Sequence, residues 1–192
     1  MNLPFLKAKL EKAGVRFGPG LTPPELNRIE MRFSFRFPPD LSEFLGYALP
    51  HSKEWPDWRH PKRLQQRLLS PLNGILFDIE HNAFWMKDFG ERPDDLQTAL
   101  DIATTHIGKM PKLIPIYAHR FMPDDPHKAG NPVFSIHQTD IIYYGRDLED
   151  YLENEFGNPK QPMEEAHGIA YPPPIRKIEF WSELADANGK GN

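Results

Sequence analysis

The amino-acid sequence predicts an α+β fold in which a central, mainly antiparallel sheet is flanked by helices. Helix-type patterns occupy the first half of the chain, short apolar runs typical of strands gather between residues 113 and 144, and one more helix-type segment follows them. The chain has 192 residues, of which 39% are hydrophobic and 12% aromatic, which is enough for one core. We therefore expect a single domain, with its core at about 21–184, an N-terminal helix and linker at 1–20, and a frayed tail at 185–192.

Three short amphipathic helices are predicted before residue 50. Their apolar residues recur at helical spacing: Leu3, Leu6 and Leu10, then Leu26, Ile29 and Phe33, then Leu41, Phe44 and Leu45. Thr22-Pro23-Pro24-Glu25 is the clearest helix start, because the Thr22 hydroxyl can accept from the Glu25 amide while the Glu25 carboxylate reaches back. Pro38-Pro39-Asp40 begins the third helix, and Gly18-Pro19-Gly20 is predicted to be a turn.

A loop, a helix, a turn and a strand are predicted between residues 50 and 79. Prolines interrupt 50–61, so this segment is expected to be an ordered loop. Leu64 and Leu68 mark a basic helix, and 71–74 is expected to be the turn that ends it. The apolar run Ile75–Ile79 then predicts a strand.

Antiparallel strands are predicted in the second half of the chain. The apolar runs at 113–118, 133–136 and 140–144 are typical of strands, and the last two form a hairpin. Pro115 places the first strand at an edge or end, because proline cannot donate to a strand ladder. The segment 175–184 is expected to pack back on the domain as a short strand and turn.

Two further helices have clear boundary signals. An aromatic loop at 84–90 precedes a helix with Asp94 and Asp95 in its first turn, and Gly108 ends this helix. A last main helix is expected to begin after Asp147 and to end at Gly157, with a loop at 158–174 behind it.

Charge and cysteine content narrow the classes of function. The 23 basic residues against 27 acidic ones give a net charge of −4, which does not favour direct nucleic-acid binding and suits a basic protein partner. The lack of cysteine excludes disulfides, thiolate catalysis and cysteine-bound metals. No apolar run approaches the roughly 18–20 residues of a membrane span. We expect a cytoplasmic monomer or weak dimer that does not associate with membranes.

The segment from His119 to Asp140 contains the residue types of a metal-dependent hydrolase. Its candidate ligands are His119, His127, His137, Asp124, Asp125 and Asp140. Their spacing matches no metal-binding motif, so surface or hydrogen-bonded histidines are the favoured interpretation, and we predict neither a metal nor another cofactor. Asp78 and Glu80 would share one face of the predicted strand as a carboxylate pair, but outward-facing polar residues explain them better, and no catalytic residue is assigned.

Aromatic and arginine residues are frequent in the predicted loops. They are Trp55, Trp58, Phe84, Trp85, Phe89, Arg92, Arg120 and Phe121. Such residue types are enriched at the energetic centres of protein interfaces. Each single Trp is better explained as a cover of the core, but as a group these residues favour recognition over catalysis.

Two N-terminal segments resemble the signature of a known superfamily. Leu21-Thr22-Pro23-Pro24-Glu25-Leu26 and Phe37-Pro38-Pro39-Asp40-Leu41-Ser42-Glu43-Phe44-Leu45 are similar to the start of the SUKH superfamily, the Smi/Knr-type domains. Further segments resemble one bacterial branch of that family: 77–85, 113–120, 130–134 and 138–145. The resemblance extends over roughly residues 21–181, which is most of the chain.

The resemblance implies an α+β fold and a binding role. No catalytic activity is established for the family; many bacterial members look like immunity proteins that neutralise a cognate toxin, often a nuclease, while eukaryotic relatives regulate cell-wall synthesis through protein contacts. We therefore expect a non-catalytic immunity protein of a polymorphic toxin system, with a metal-dependent hydrolase or a regulatory scaffold as alternatives. The matching segments predict a polar and aromatic partner groove or, equally, a structural network, made of Asp78, Glu80, Trp85, His119, Arg120, Gln138, Asp140 and Tyr144.

Overall fold

The computed structural model describes residues 1–157 and 174–189, so most of the predicted loop at 158–174 and the last three residues lie outside the described residues. Within this part of the chain the elements are α1 (Leu3–Lys12), β1 (Arg16–Pro19), α2 (Pro23–Phe33), α3 (Pro39–Tyr47), β2 (Ala48–His51), α4 (Pro61–His81), a 3₁₀ turn (Lys87–Phe89), α5 (Leu96–Ile107), β3 (Leu113–Tyr117), β4 (Arg120–Pro123), β5 (Val133–His137), β6 (Asp140–Gly145), α6 (Leu148–Phe156) and α7 (Trp181–Gly189). The strands form two antiparallel sheets, β1–β2 and β3–β4–β5–β6. The predicted α+β class is confirmed.

The four-stranded sheet separates two apolar clusters. Met122 and Val133 belong to the first cluster, together with residues of α1, α2, α3 and α6. Phe121 and Phe134 belong to the second, together with α5, α7 and the C-terminal half of α4. Neighbours in one strand pack into different clusters because successive strand side chains point to opposite faces of the sheet. Helices therefore cover both faces.

Helix starts follow the predicted capping chemistry. The Glu25 amide donates to Thr22 Oγ1 at 3.4 Å and the Thr22 amide donates to Glu25 Oε2 at 2.8 Å, which completes the capping box. The side chains of Asp95 and Asp147 likewise accept from amides three residues later. Pro115 lies in β3, an edge strand, as the sequence predicts. The capping residues were sufficient to predict these helix starts, because each cap depends only on groups that are neighbours in sequence.

Residues 61–81 form one long helix, α4, so the prediction of a turn at 71–74 and a strand at 75–79 is wrong. Pro71 lies inside the helix, where a proline removes a hydrogen bond and crowds the preceding turn. The buried residues Leu64, Pro71, Ile75 and Ile79 recur at helical spacing, and their burial compensates for this cost. A short apolar run such as 75–79 fits a buried helix as well as a strand.

Three strands differ from the sequence interpretation. Gly18 and Pro19, expected in a turn, belong to β1, and β1 pairs with β2 where the start of a loop was expected. β4, which the sequence did not reveal, lies between β3 and β5 in the main sheet. All three are only four residues long, too short for an alternating pattern to be recognised.

Residues 181–189 form α7, where the end of a strand and turn and the start of a frayed tail were expected; residues 190–192 of that tail lie outside the described residues. Trp181 and Ala185 are buried in the second cluster. The Asn188 side chain donates to the Thr139 carbonyl (2.8 Å) and the Ile141 carbonyl (3.0 Å), so the helix is fixed on β6 up to its last turn.

Candidate functional site

The helix α4 separates the two carboxylates that the sequence placed on one strand face. Residues two apart in a helix point about 200° away from each other. Asp78 is buried, whereas the Glu80 side chain is 47% exposed and its Oε2 lies 3.6 Å from His81 Nε2. The expectation of a shared face is therefore wrong, and the two carboxylates have different environments.

Asp78 joins α4 to the turn between β5 and β6. Its Oδ2 accepts from the Thr139 amide (2.9 Å) and hydroxyl (2.6 Å), and its Oδ1 accepts from the Asn82 side chain (2.6 Å). Burial raises the pKa of Asp78, but the hydrogen bonds from Thr139 and Asn82 outweigh burial and bring the pKa below its ordinary value. Asp78 is therefore an ionised acceptor within a structural network.

Gln138 and Asp140 lie at the same turn. Gln138 has a φ of 57°, and a Cβ added at Gly74 of α4 would lie 2.8 Å from the Gln138 Cα, so only glycine allows this approach. Asp140 pairs with His137 across the hairpin and is exposed. Gln138 thus serves helix–hairpin packing, while Asp140 faces solvent.

Trp85 belongs to a separate aromatic segment after α4. Its indole nitrogen donates to the Gly90 carbonyl (2.8 Å), and its ring meets Phe89 edge-to-face with the ring centres 5.2 Å apart. The Arg92 guanidinium lies 5.8 Å from the Trp85 ring centre and donates to the Ile79 carbonyl (2.8 Å). These contacts fix the aromatic segment on α4.

Other aromatic residues from the predicted loops are parts of the core. Trp55, Trp58, Phe89 and Phe121 are all buried. For these residues the interpretation as cover of a small proline-rich domain is confirmed.

A row of side chains crosses all four strands on the sheet face that α6 borders. The strand register pairs Tyr117 with Arg120, Arg120 with Ser135, and Ser135 with Ile142. Residues paired in this way point to the same face. We refer to these four residues as the cross-strand row.

Arg120 is held in a fixed orientation within the cross-strand row. Its guanidinium carbon lies 3.7 Å from the centre of the Tyr144 ring, and its Nη1 donates to Ser135 Oγ at 2.9 Å. Its Nε lies 3.3 Å from Oε2 of Glu155, which α6 contributes. His119, the preceding residue, is exposed. Two of the eight predicted site residues, Arg120 and Tyr144, therefore contact each other here. His119 is only adjacent to Arg120 in sequence, and the other five lie elsewhere.

The ionisable groups around Arg120 have perturbed pKa values. Burial, and after it the Glu155 carboxylate, raise the pKa of Tyr117 and of Tyr151, so both hydroxyls stay protonated at neutral pH. Partial desolvation, and after it the Arg120 cation, lower the pKa of His119, which makes its imidazole neutral at pH 7. The site thus contains one ion pair, between Arg120 and Glu155, and the groups around it are uncharged tyrosine and histidine side chains.

Sequence reasoning missed Tyr117, Ser135, Ile142 and Glu155 as site residues. The alternation of β6 contained a signal for Ile142, since it shares a face with Tyr144 two residues later. The approach of Glu155 depends on how α6 packs on the sheet, which no local pattern reveals.

The candidate metal ligands do not converge. His127 Nε2 contacts the Phe37 carbonyl oxygen at 3.1 Å, and Asp124 accepts from the Lys112 amide at 2.8 Å, so both side chains have structural partners. Within residues 1–157 and 174–189, no three histidine or carboxylate side chains are grouped so that they could hold a metal ion.

Comparison with protein-family models, with curated proteins and with solved structures found no match to this chain. The SUKH resemblance therefore stays a prediction from the sequence motifs. In the described part of the chain, no helix combines the length and the apolar character needed to cross a membrane.

Proposed function

We propose that this protein is a non-catalytic immunity protein that binds a basic cognate toxin through the sheet face with the cross-strand row. The observation that carries the proposal is the exposed Ile142, which lies in the row beside an Arg120 side chain that is only 8% exposed and is held by Tyr144 and Glu155. Because Arg120 and Tyr144 are already ordered beneath this surface, a partner that binds it would lose less entropy in ordering side chains.

Exposure of Ile142 supports this choice of surface. Ile142 is 41% exposed although it lies in the main sheet and in the same row as Arg120. A partner side chain that covers it would gain apolar burial directly beside the arginine.

Charge supports a basic partner. The helix α6, which borders the row, contains four acidic residues and no basic one: Glu149, Asp150, Glu153 and Glu155. Arg146, Lys9 and Arg120 already pair with the last three of them, so these three carboxylates are neutralised within the chain. The net charge of −4 of the whole chain, together with Glu149 on this helix, would attract a basic toxin during encounter. The cysteine-free sequence suits the reducing cytoplasm, where we place the protein.

Affinity capture from the producing cells tests the proposal. We expect the tagged wild-type chain to retain a near-equimolar basic protein, and Ile142→Arg to lose it because the new cation repels the partner and blocks the row. Leu96→Arg is the matched control, since Leu96 is 40% exposed and lies on α5, on the other side of the sheet.

The captured protein is then produced alone and together with the wild-type chain. We expect it to arrest growth alone and to be neutralised by co-production. A captured partner without toxicity would overturn the immunity role in favour of the regulatory scaffold. Capture of nothing by folded protein would overturn the binding role itself.

A further inference from the structure

A groove between α2, α4 and the start of β3 forms a second surface with different chemistry. Two cavities adjoin there, of about 360 and 280 Å³, and Arg32 and Phe33 line both. The groove follows α2 from Glu25 to Phe33, and it includes residues from the N-terminal half of α4.

The walls of the larger cavity are mostly apolar. They include Phe33, Leu68, Leu69, Leu72, Met110 and Trp181. Leu69 is 44% exposed, so part of this apolar lining is open to a partner. A nucleic-acid backbone would leave such walls without matching contacts, since its phosphates seek basic and polar groups.

The charged side chains of the groove are mostly basic. Arg28, Arg32, Arg59 and Lys112 line it, against one carboxylate, Glu25. Arg59 neutralises that carboxylate, with Nε at 2.7 Å from Oε1, and its hydrogen bond is the main cause that lowers the Glu25 pKa to about 2. Arg28 and Arg32 have no carboxylate partner among the described residues. The groove is therefore locally positive although the whole chain has a net charge of −4.

We propose that this groove binds an acidic amphipathic helix of a protein partner. Apolar side chains at i, i+3 or i+4, and i+7 would enter the two cavities, and carboxylates on the flanks would pair with Arg28 and Arg32. The inference goes beyond the toxin-binding function, because it concerns another surface and a partner segment of opposite charge.

A peptide-display selection on the purified full chain tests the groove directly. The probe is a phage library of random 16-residue peptides, and the enriched peptides are synthesised and titrated by fluorescence anisotropy. We expect acidic sequences with helical apolar spacing, whose affinity falls about tenfold or more in Arg32→Glu and in Leu69→Asp. Affinity should be unchanged in Leu96→Asp and in Ile142→Arg.

Each other outcome overturns the proposal. These outcomes are enrichment of neutral or basic peptides, affinity that is insensitive to both groove substitutions, displacement of the peptides by an unstructured RNA oligonucleotide, and no enrichment at all. Sedimentation of the wild-type chain at high concentration adds one more: self-association that Leu69→Asp abolishes would identify a second copy as the occupant. Because the selection does not use the toxin, failure here leaves the toxin-binding function untouched.

Discussion

Replacing Asp78 with alanine should destabilise the fold because this carboxylate links α4 to the β5–β6 turn. The substitution removes three hydrogen bonds, two from Thr139 and one from Asn82. Hydrogen bonds to a charged acceptor contribute about 1.5–3 kcal/mol each, but the cost of burying the carboxylate offsets part of that sum. We expect the free energy of unfolding to fall by about 2–4 kcal/mol, chiefly because the Thr139 amide loses its acceptor.

Urea unfolding followed by far-UV circular dichroism measures this loss. For a chain of this size the same loss lowers Tm by roughly 4–15 °C. Glu80→Ala is the matched control, because the Glu80 side chain is 47% exposed on the same helix and should change the free energy by less than about 0.5 kcal/mol. An Asp78→Ala protein as stable as Glu80→Ala would refute the link between helix and hairpin.

Three further predictions follow from the same contacts. The pKa of Asp78 is lower in the folded than in the unfolded state, so its carboxylate stabilises the fold fully above the unfolded-state pKa of about 4, and this stabilisation is lost as the pH falls through the folded-state pKa. The difference in the free energy of unfolding between wild type and Asp78→Asn should therefore shrink in that acidic range. A difference that stays constant with pH would contradict the lowered pKa. Gly74→Ala should lower the free energy of unfolding by about 1–3 kcal/mol, because the new Cβ would lie 2.8 Å from the Gln138 Cα. Urea unfolding that is unchanged in this variant would show that α4 and the hairpin are not in tight contact at Gly74. Arg59→Ala should raise the Glu25 pKa from about 2 in an NMR titration, and a pKa that stays low would assign the shift to Thr22 instead.

The parts of the fold that could be predicted were those encoded by neighbours in sequence. The capping box at Thr22, the caps at Asp95 and Asp147, and the hairpin of β5 and β6 all depend on groups a few residues apart. The long helix α4 could not be predicted in this way, because tertiary burial outweighs the effect of Pro71.

The candidate site was predictable only in part for the same reason. Arg120 and Tyr144 were singled out by residue type and resemblance, but they become neighbours only through strand pairing and a bulge between Val133 and Phe134. Asp78 was placed beside Glu80 by a strand period that the helix does not have. The error in period thus concerned the carboxylate pair, whereas the family resemblance placed the buried Asp78 in the predicted groove.

Hydroxyl-radical footprinting of the purified complex with the captured toxin tests most directly whether the cross-strand row is the binding surface. Ile142 and Tyr144 should be protected from oxidation in the complex, because the partner covers this face. Leu96, 40% exposed on α5 on the other side of the sheet, should react as in the free protein. A stoichiometric complex in which Ile142 and Tyr144 stay fully reactive would contradict the assignment of this sheet face to toxin binding.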